Sequence, residues 1–80
     1  MVKAFVALKT GASEYLSAGR TIKEKLVKIQ GVLRVEIIFG RYDIIAEVEA
    51  KDIKELSHLI SDQIKCIPNV ASTETFICYS

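Results

Sequence analysis

The sequence repeats itself. The segment IQGVLRVE, Ile29 to Glu36, returns as IPNVASTE, Ile67 to Glu74, with Ile, Val and Glu kept at an offset of 38 residues. Each copy reads as a helix end, a turn and the opening of a strand. Gly31 and Asn69 hold the same place in the two copies, and Gly and Asn are the residue types that best tolerate left-handed backbone, so both are expected as left-handed helix caps. A chain made of two such units has few ways to fold.

Hydrophobic periodicity fills in the units. Val2, Ala4, Val6 and Leu8 alternate against Lys3, Phe5 and Ala7, which predicts a first strand over Val2 to Leu8. The run TGASEYLSA from Thr10 reads as a loop or an early helical turn. In RTIKEKLVKIQG the residues Ile22, Leu26 and Ile29 form one stripe of a first helix. VLRVEIIF and DIIAEVEA are the second and third strands, joined at Gly40. Asp52 with Glu55 three residues on resembles a capping box, and Ile53, Leu56, Ile60, Ile64 and Ile67 share a face of the second helix up to Pro68. VASTETFICY, through Tyr79, supplies the fourth strand. The order is βαββαβ. With right-handed crossovers it gives an α+β, ferredoxin-like fold over residues 1–80 as one domain: a four-stranded antiparallel sheet with both helices on one face.

Half of the residues are hydrophobic, generous for 80 residues, and a domain of this size is marginally stable alone. Phe5, Ala7, Ile45 and Phe76, with an apolar residue or two of strand two, are expected on the sheet face that the helices leave bare. That surface predicts homodimerisation through the sheet, the dimeric α/β barrel arrangement. A net charge of +1 offers no field for nucleic acid, and the apolar run after Met1 is too short for a signal peptide or a membrane span, so a cytoplasmic protein is expected. Cys66 and Cys78 form no CxxC. They are expected about 26 Å apart along the fourth strand, at about 3.3 Å per residue, too far for a disulfide.

Catalytic readings find little. The lone His58 lies about 140° from the helical stripe at about 100° per residue, facing solvent. The serines Ser57, Ser61 and Ser72 have no His near enough in the pattern to activate them. Glu47 and Glu49 share a strand face, which reads first as a solvated or interface-lining surface. The aromatics of an RNA-recognition sheet and the CxxC of a metal chaperone are missing from their places. Neither a metal nor a cofactor is expected. Gly-Arg-Tyr-Asp, Gly40 to Asp43, is the stretch with chemical potential: Gly40 admits a polar head to the backbone, Tyr42 offers a ring and a hydroxyl, and Asp43 an anion for an ammonium group. Thr73 and Thr75 add hydroxyls. A plain hairpin explains the same residues.

FGRYDIIAEVEAKDIKEL followed by IKCIPNVASTETFICY resembles the effector-binding domain of the Lrp/AsnC family of feast/famine transcription regulators. The shared features are a Gly-x-Tyr-Asp turn, an acidic alternating strand, a helix closed by Ile-Pro, and a Thr-x-Thr strand. Asn69 stands where the family more usually has Gly. The resemblance implies an amino-acid or related metabolite sensor without catalytic activity, whose dimers assemble to tetramers or octamers with the ligand between subunits. It implicates Gly40, Tyr42, Asp43, Ser72, Thr73 and Thr75 in binding, with Arg41 as the variable position that tunes specificity. The first strand begins at Val2, which leads one to expect a stand-alone version without a helix-turn-helix, with no direct nucleic-acid contact and room for co-assembly with full-length regulators. From other classes, a small dimeric enzyme of isomerase or monooxygenase type and a ligand-free assembly module remain as alternatives.

Overall fold

The computed structural model describes residues 1–11 and 15–78. Its elements are β1 (Val2–Thr10), α1 (Tyr15–Leu26), β2 (Val32–Ile37), β3 (Ile44–Ala50), α2 (Ile53–His58), a π-helical segment (Leu59–Ile64) that continues α2, and β4 (Val70–Ile77). The sheet order is β2-β3-β1-β4, and every neighbouring pair is antiparallel. The fold is the ferredoxin-like βαββαβ expected from the sequence.

The 38-residue repeat is a symmetry of the structure. The Val32 N–H donates to the Ile29 carbonyl, and the Val70 N–H to the Ile67 carbonyl, closing two equivalent turns. Gly31 and Asn69 occupy the third position of those turns at φ 101 and 72, the left-handed region. They are thus turn residues and not the helix caps anticipated for them, because α1 already ends at Leu26 and the π segment at Ile64. The turn carbonyls are used equivalently as well: Gly31 O accepts from Glu49 N–H and Asn69 O from Gly11 N–H, both at 2.8 Å. Even the irregularities repeat. The register slips between Val32 and Arg34 against β3, and between Val70 and Ser72 against β1, leaving Leu33 and Ala71 as the bulged residues.

The helices meet the sheet through matching positions: Ala18, Ile22 and Leu26 of α1, and Leu56, Ile60 and Ile64 of the second helix, each set buried. They close over Ala4, Val6 and Leu8 of β1, Val35 of β2, and Ile44, Ala46, Val48 and Ala50 of β3. Burying each Val, Leu or Ile of these sets is worth about 1.5–3 kcal/mol, so this layer carries most of the fold's stability. Several boundaries and faces differ from the sequence reading. β1 runs two residues past the expected Leu8, to Thr10. α1 starts at Tyr15, ahead of the expected stripe, and Ile29 packs on the core from the turn. Ile53 is exposed, whereas Leu59 is buried. The cap forms in part, with Glu55 N–H donating to Asp52 Oδ1 at 2.8 Å, while Glu55 Oε1 accepts at 3.1 Å from the N–H of Lys51 rather than from that of the N-cap Asp52, so the box closes one residue early. It places Ile53 in the first turn, tipped away from the sheet. The expected extension of strand four to Tyr79 lies outside the described residues.

The other face of the sheet carries no helix. Register places Phe5, Ala7, Ile45 and Phe76 there together, as expected. Strand two contributes Arg34 and Glu36 to that face where apolar residues were anticipated, because the bulge at Leu33 shifts its alternation. The face therefore has two halves. On the β1–β4 side Phe5 and Phe76 form an apolar middle between Lys3 at one end and Lys9, Ser72 and Glu74 at the other, and the β2–β3 side is charged: Lys3 Nζ lies 2.9 Å from Glu47 Oε2, with Arg34 at 4.0 Å from the other carboxylate oxygen.

Candidate functional site

The Gly-Arg-Tyr-Asp stretch is more than a tight hairpin. Residues 38–43 make a loop closed by Ile38 N–H donating to Asp43 O at 2.9 Å. Gly40 sits at φ 136 with open space where a Cβ would be, and Phe39 beside it is 86% exposed. Asp43 is the one buried charged residue among those described. Its backbone N–H donates to Leu8 O, its Oδ2 accepts from Thr10 N–H at 2.9 Å, and Lys9 Nζ stands 3.9 Å from the same oxygen. β3 is an inner strand, and the Asp43 carboxylate secures the end of β1 where its pairing with β4 slips.

Tyr42 reaches across β1. Its hydroxyl donates to Glu74 Oε1 of β4, and this hydrogen bond, which favours the protonated phenol, raises the Tyr42 pKa above its ordinary value. By register Glu74 pairs with Ala7, and Ser72 with Lys9, so Lys9, Tyr42, Ser72 and Glu74 gather at one end of the open face with Asp43 beside them. Ala7 beneath is only 3% exposed although no helix covers it.

Of the residues singled out in the sequence, Tyr42, Asp43 and Ser72 come together, with Gly40 and Arg41 exposed on the adjoining loop. Thr73 and Thr75 do not join them: they pair with Leu8 and Val6 and so lie on the helix side of β4, half-buried. Lys9, Thr10 and Glu74 were missed. Glu74 stands between the two threonines in Thr73-Glu74-Thr75, and period two already places it on the face opposite to theirs. The Lys9 and Thr10 contacts depend on a pairing that no local pattern reveals.

The group contains an ammonium, two carboxylates and two hydroxyls, suited to holding a ligand that carries both charges. Elsewhere, His58 Nδ1 lies 3.1 Å from Asp62 Oδ2, an exposed pair one helical turn apart that the sequence reading had not noted. Among the described residues no three His, Cys, Asp or Glu side chains are arranged to hold a metal, and no helix is long and apolar enough to cross a membrane. Cys66 and Cys78 are both free and exposed.

The arrangement is thus a ferredoxin-like sheet with one bare face and a polar group at one end of it. The family model of the Lrp/AsnC ligand binding domain matches residues 3–80, and the chain belongs to that family. It is 32% identical over 60 residues to an uncharacterised helix-turn-helix-type transcriptional regulator of Pyrococcus abyssi, covering 75% of this chain and 40% of that protein. It is 35% identical over 74 residues to the homocitrate synthase of Sulfolobus acidocaldarius, covering 92% of this chain and 15% of the enzyme. The chain thus spans less than half the length of these curated relatives. Among solved structures, a hypothetical protein of Pyrococcus horikoshii superposes with a TM-score of 0.85 at 31% identity, over 100% of this chain and 92% of that one. A Neisseria meningitidis transcriptional regulator in complex with L-Met superposes with a TM-score of 0.86 over 99% of this chain and 50% of that one; at 16% identity the likeness is one of fold.

Proposed function

We propose that this domain binds an amino acid or a related small metabolite between copies of itself and reports it to the machinery of amino-acid metabolism. The observation that carries this reading is the company the domain keeps: nearly the same stretch occurs within a DNA-binding type of regulator and within a synthase. Neither DNA reading nor the synthase chemistry is common to both, whereas sensing a metabolite serves either. The L-Met held by the Neisseria regulator supports the ligand class.

In this reading the ligand's ammonium meets Glu74 or Asp43, its carboxylate meets Lys9 and Ser72, and Tyr42 packs beside it, with Gly40 and Arg41 on the rim. Thr73 and Thr75 contribute from the other side of β4, which one ligand can reach only if two copies share it. The apolar patch of Phe5 and Phe76 on the open face supports a sheet-to-sheet dimer that assembles further, and regulators that carry the same domain are candidate partners. Thermal-shift measurements against the twenty amino acids test the reading: at a hundred times its dissociation constant a true ligand adds about 2.7 kcal/mol of stability. If none raises the melting temperature while sedimentation shows an oligomer, the domain is an assembly module and the reading fails.

A further inference from the structure

A second cleft, of about 520 Å³, opens at the opposite end of the sheet, between the start of β2, the end of β3 and the second helix. The length of β3 separates it from the Gly-Arg-Tyr-Asp loop, about 20 Å at about 3.3 Å per residue. Its volume falls in the range of small-ligand sites, about 300–1,000 Å³.

Its walls are of two kinds. Leu59 and the bulged Leu33 give an apolar surface, and Gly31 keeps the wall between them low, since a Cβ there would meet Glu49 O at 2.9 Å and Leu59 at 3.4 Å. Around this surface stand Lys51, Glu55, His58, Gln30 and Gln63. Two of them are held in place. Glu55 Oε1 accepts from Lys51 N–H, and His58 Nδ1 is engaged by Asp62, leaving Nε2 as the ring nitrogen open to a ligand. The π-helical segment begins at Leu59 on this wall and extends through Gln63. Such widened turns are rare and frequent at functional sites.

We propose that this cleft is a second ligand site, for an amino acid with a polar side chain. Lys51 takes the carboxylate, Glu55 and the lone pair of His58 Nε2, whose Nδ1–H is donated to Asp62, take the ammonium, the ligand's methylenes lie on Leu33 and Leu59, and the amides of Gln30 and Gln63 read the polar end. The domain then answers to two concentrations or two ligands. The ligand class rests on the function proposed above, while the place and the residues stand apart from it.

Amide NMR of the intact domain, titrated with each of the twenty amino acids, separates the two ideas. Saturable shifts at Gly31, Leu33 and Gln63 are expected with at least one polar amino acid. Lys51→Ala and His58→Ala should each weaken that titration by about tenfold, the worth of one charged hydrogen bond, and leave shifts at Gly40 and Tyr42 unchanged. A response confined to Gly40 and Tyr42 overturns the second site and spares the first. No response at either end overturns both. Both variants lie on exposed positions, and if they keep a dispersed spectrum yet titrate like the parent, the cleft assignment is wrong.

Discussion

The two halves of the chain solve one folding problem in different ways. Both turn from helix to strand through an Ile-x-x-Val turn with a left-handed third residue, and both strands then carry a bulge. In the first half the third residue has to be Gly31, because the Glu49 carbonyl leaves no room for a Cβ. In the second half Asn69 serves, and Pro68 before it presets the turn's second position. The helices differ too. α1 is regular where described, whereas its counterpart passes from α to π at Leu59, whose equivalent by the repeat is the exposed Thr21. The extra buried leucine accompanies the wider turn. The two halves share the hydrogen bonds and differ where a side chain has space or an extra one is buried.

The sharpest test of equivalence is in the core. Leu26→Ala and Ile64→Ala remove fully buried side chains at matching positions, and each should cost about 2–5 kcal/mol in chemical denaturation. A near-neutral effect at one of them would break the comparison. Gly31→Ala should cost about 3 kcal/mol, combining left-handed strain of about 1–2 kcal/mol with a backbone clash. Asp43→Ala should cost about 2 kcal/mol by removing a buried acceptor from Thr10 N–H, even without ligand. By the repeat its counterpart is Phe5, an apolar residue of the open face, so here the halves part. Asn69→Ala should cost only about 1 kcal/mol, and Asn69→Gly close to nothing; if Asn69→Ala matched Gly31→Ala, the difference in space would not be what distinguishes the turns.

The smallest effects concern surface charges, one pair joining the two halves and one within the second. The hydrogen bond from Lys3 holds the Glu47 carboxyl below its ordinary value, and the same bond raises Lys3. Stability from the depressed carboxyl is full above its unfolded value and is lost as pH falls through the lowered folded one. That from Lys3 is full below its unfolded value and fades as pH rises through the raised one. Melting curves against pH should therefore lose a shallow acid limb in Lys3→Met. Glu74→Gln should bring the Tyr42 phenol back toward its ordinary range in ultraviolet titration, since the bond that raises it loses its charge.

Much of this was legible in the sequence, because it rests on short-range rules. Alternation in DIIAEVEA marked Ile44, Ala46, Val48 and Ala50 as one buried face, and all four are buried. The repeat marked Gly31 and Asn69 for left-handed backbone, which both adopt. Residue chemistry marked the Gly-Arg-Tyr-Asp loop, and the family resemblance seconded it and added Ser72, which the fold brings together with Tyr42 and Asp43 at one end of the sheet. It also named Thr73 and Thr75, which period two alone puts on the opposite face from Ser72.

By itself the sequence determined the elements, their order, the core face of β1, β3 and β4 and the left-handed residue of the two turns, since backbone preference and hydrophobic period act over a few residues. Only the tertiary structure decided that Asp43 would anchor Thr10 across 33 positions, that Tyr42 would bond to Glu74 across 32, and that Leu59 would turn inward. Those outcomes depend on which strand lies beside which and on how bulges shift the register. A side chain's periodicity says whether it should be buried, but its partner is set by the packing of segments far away in the chain.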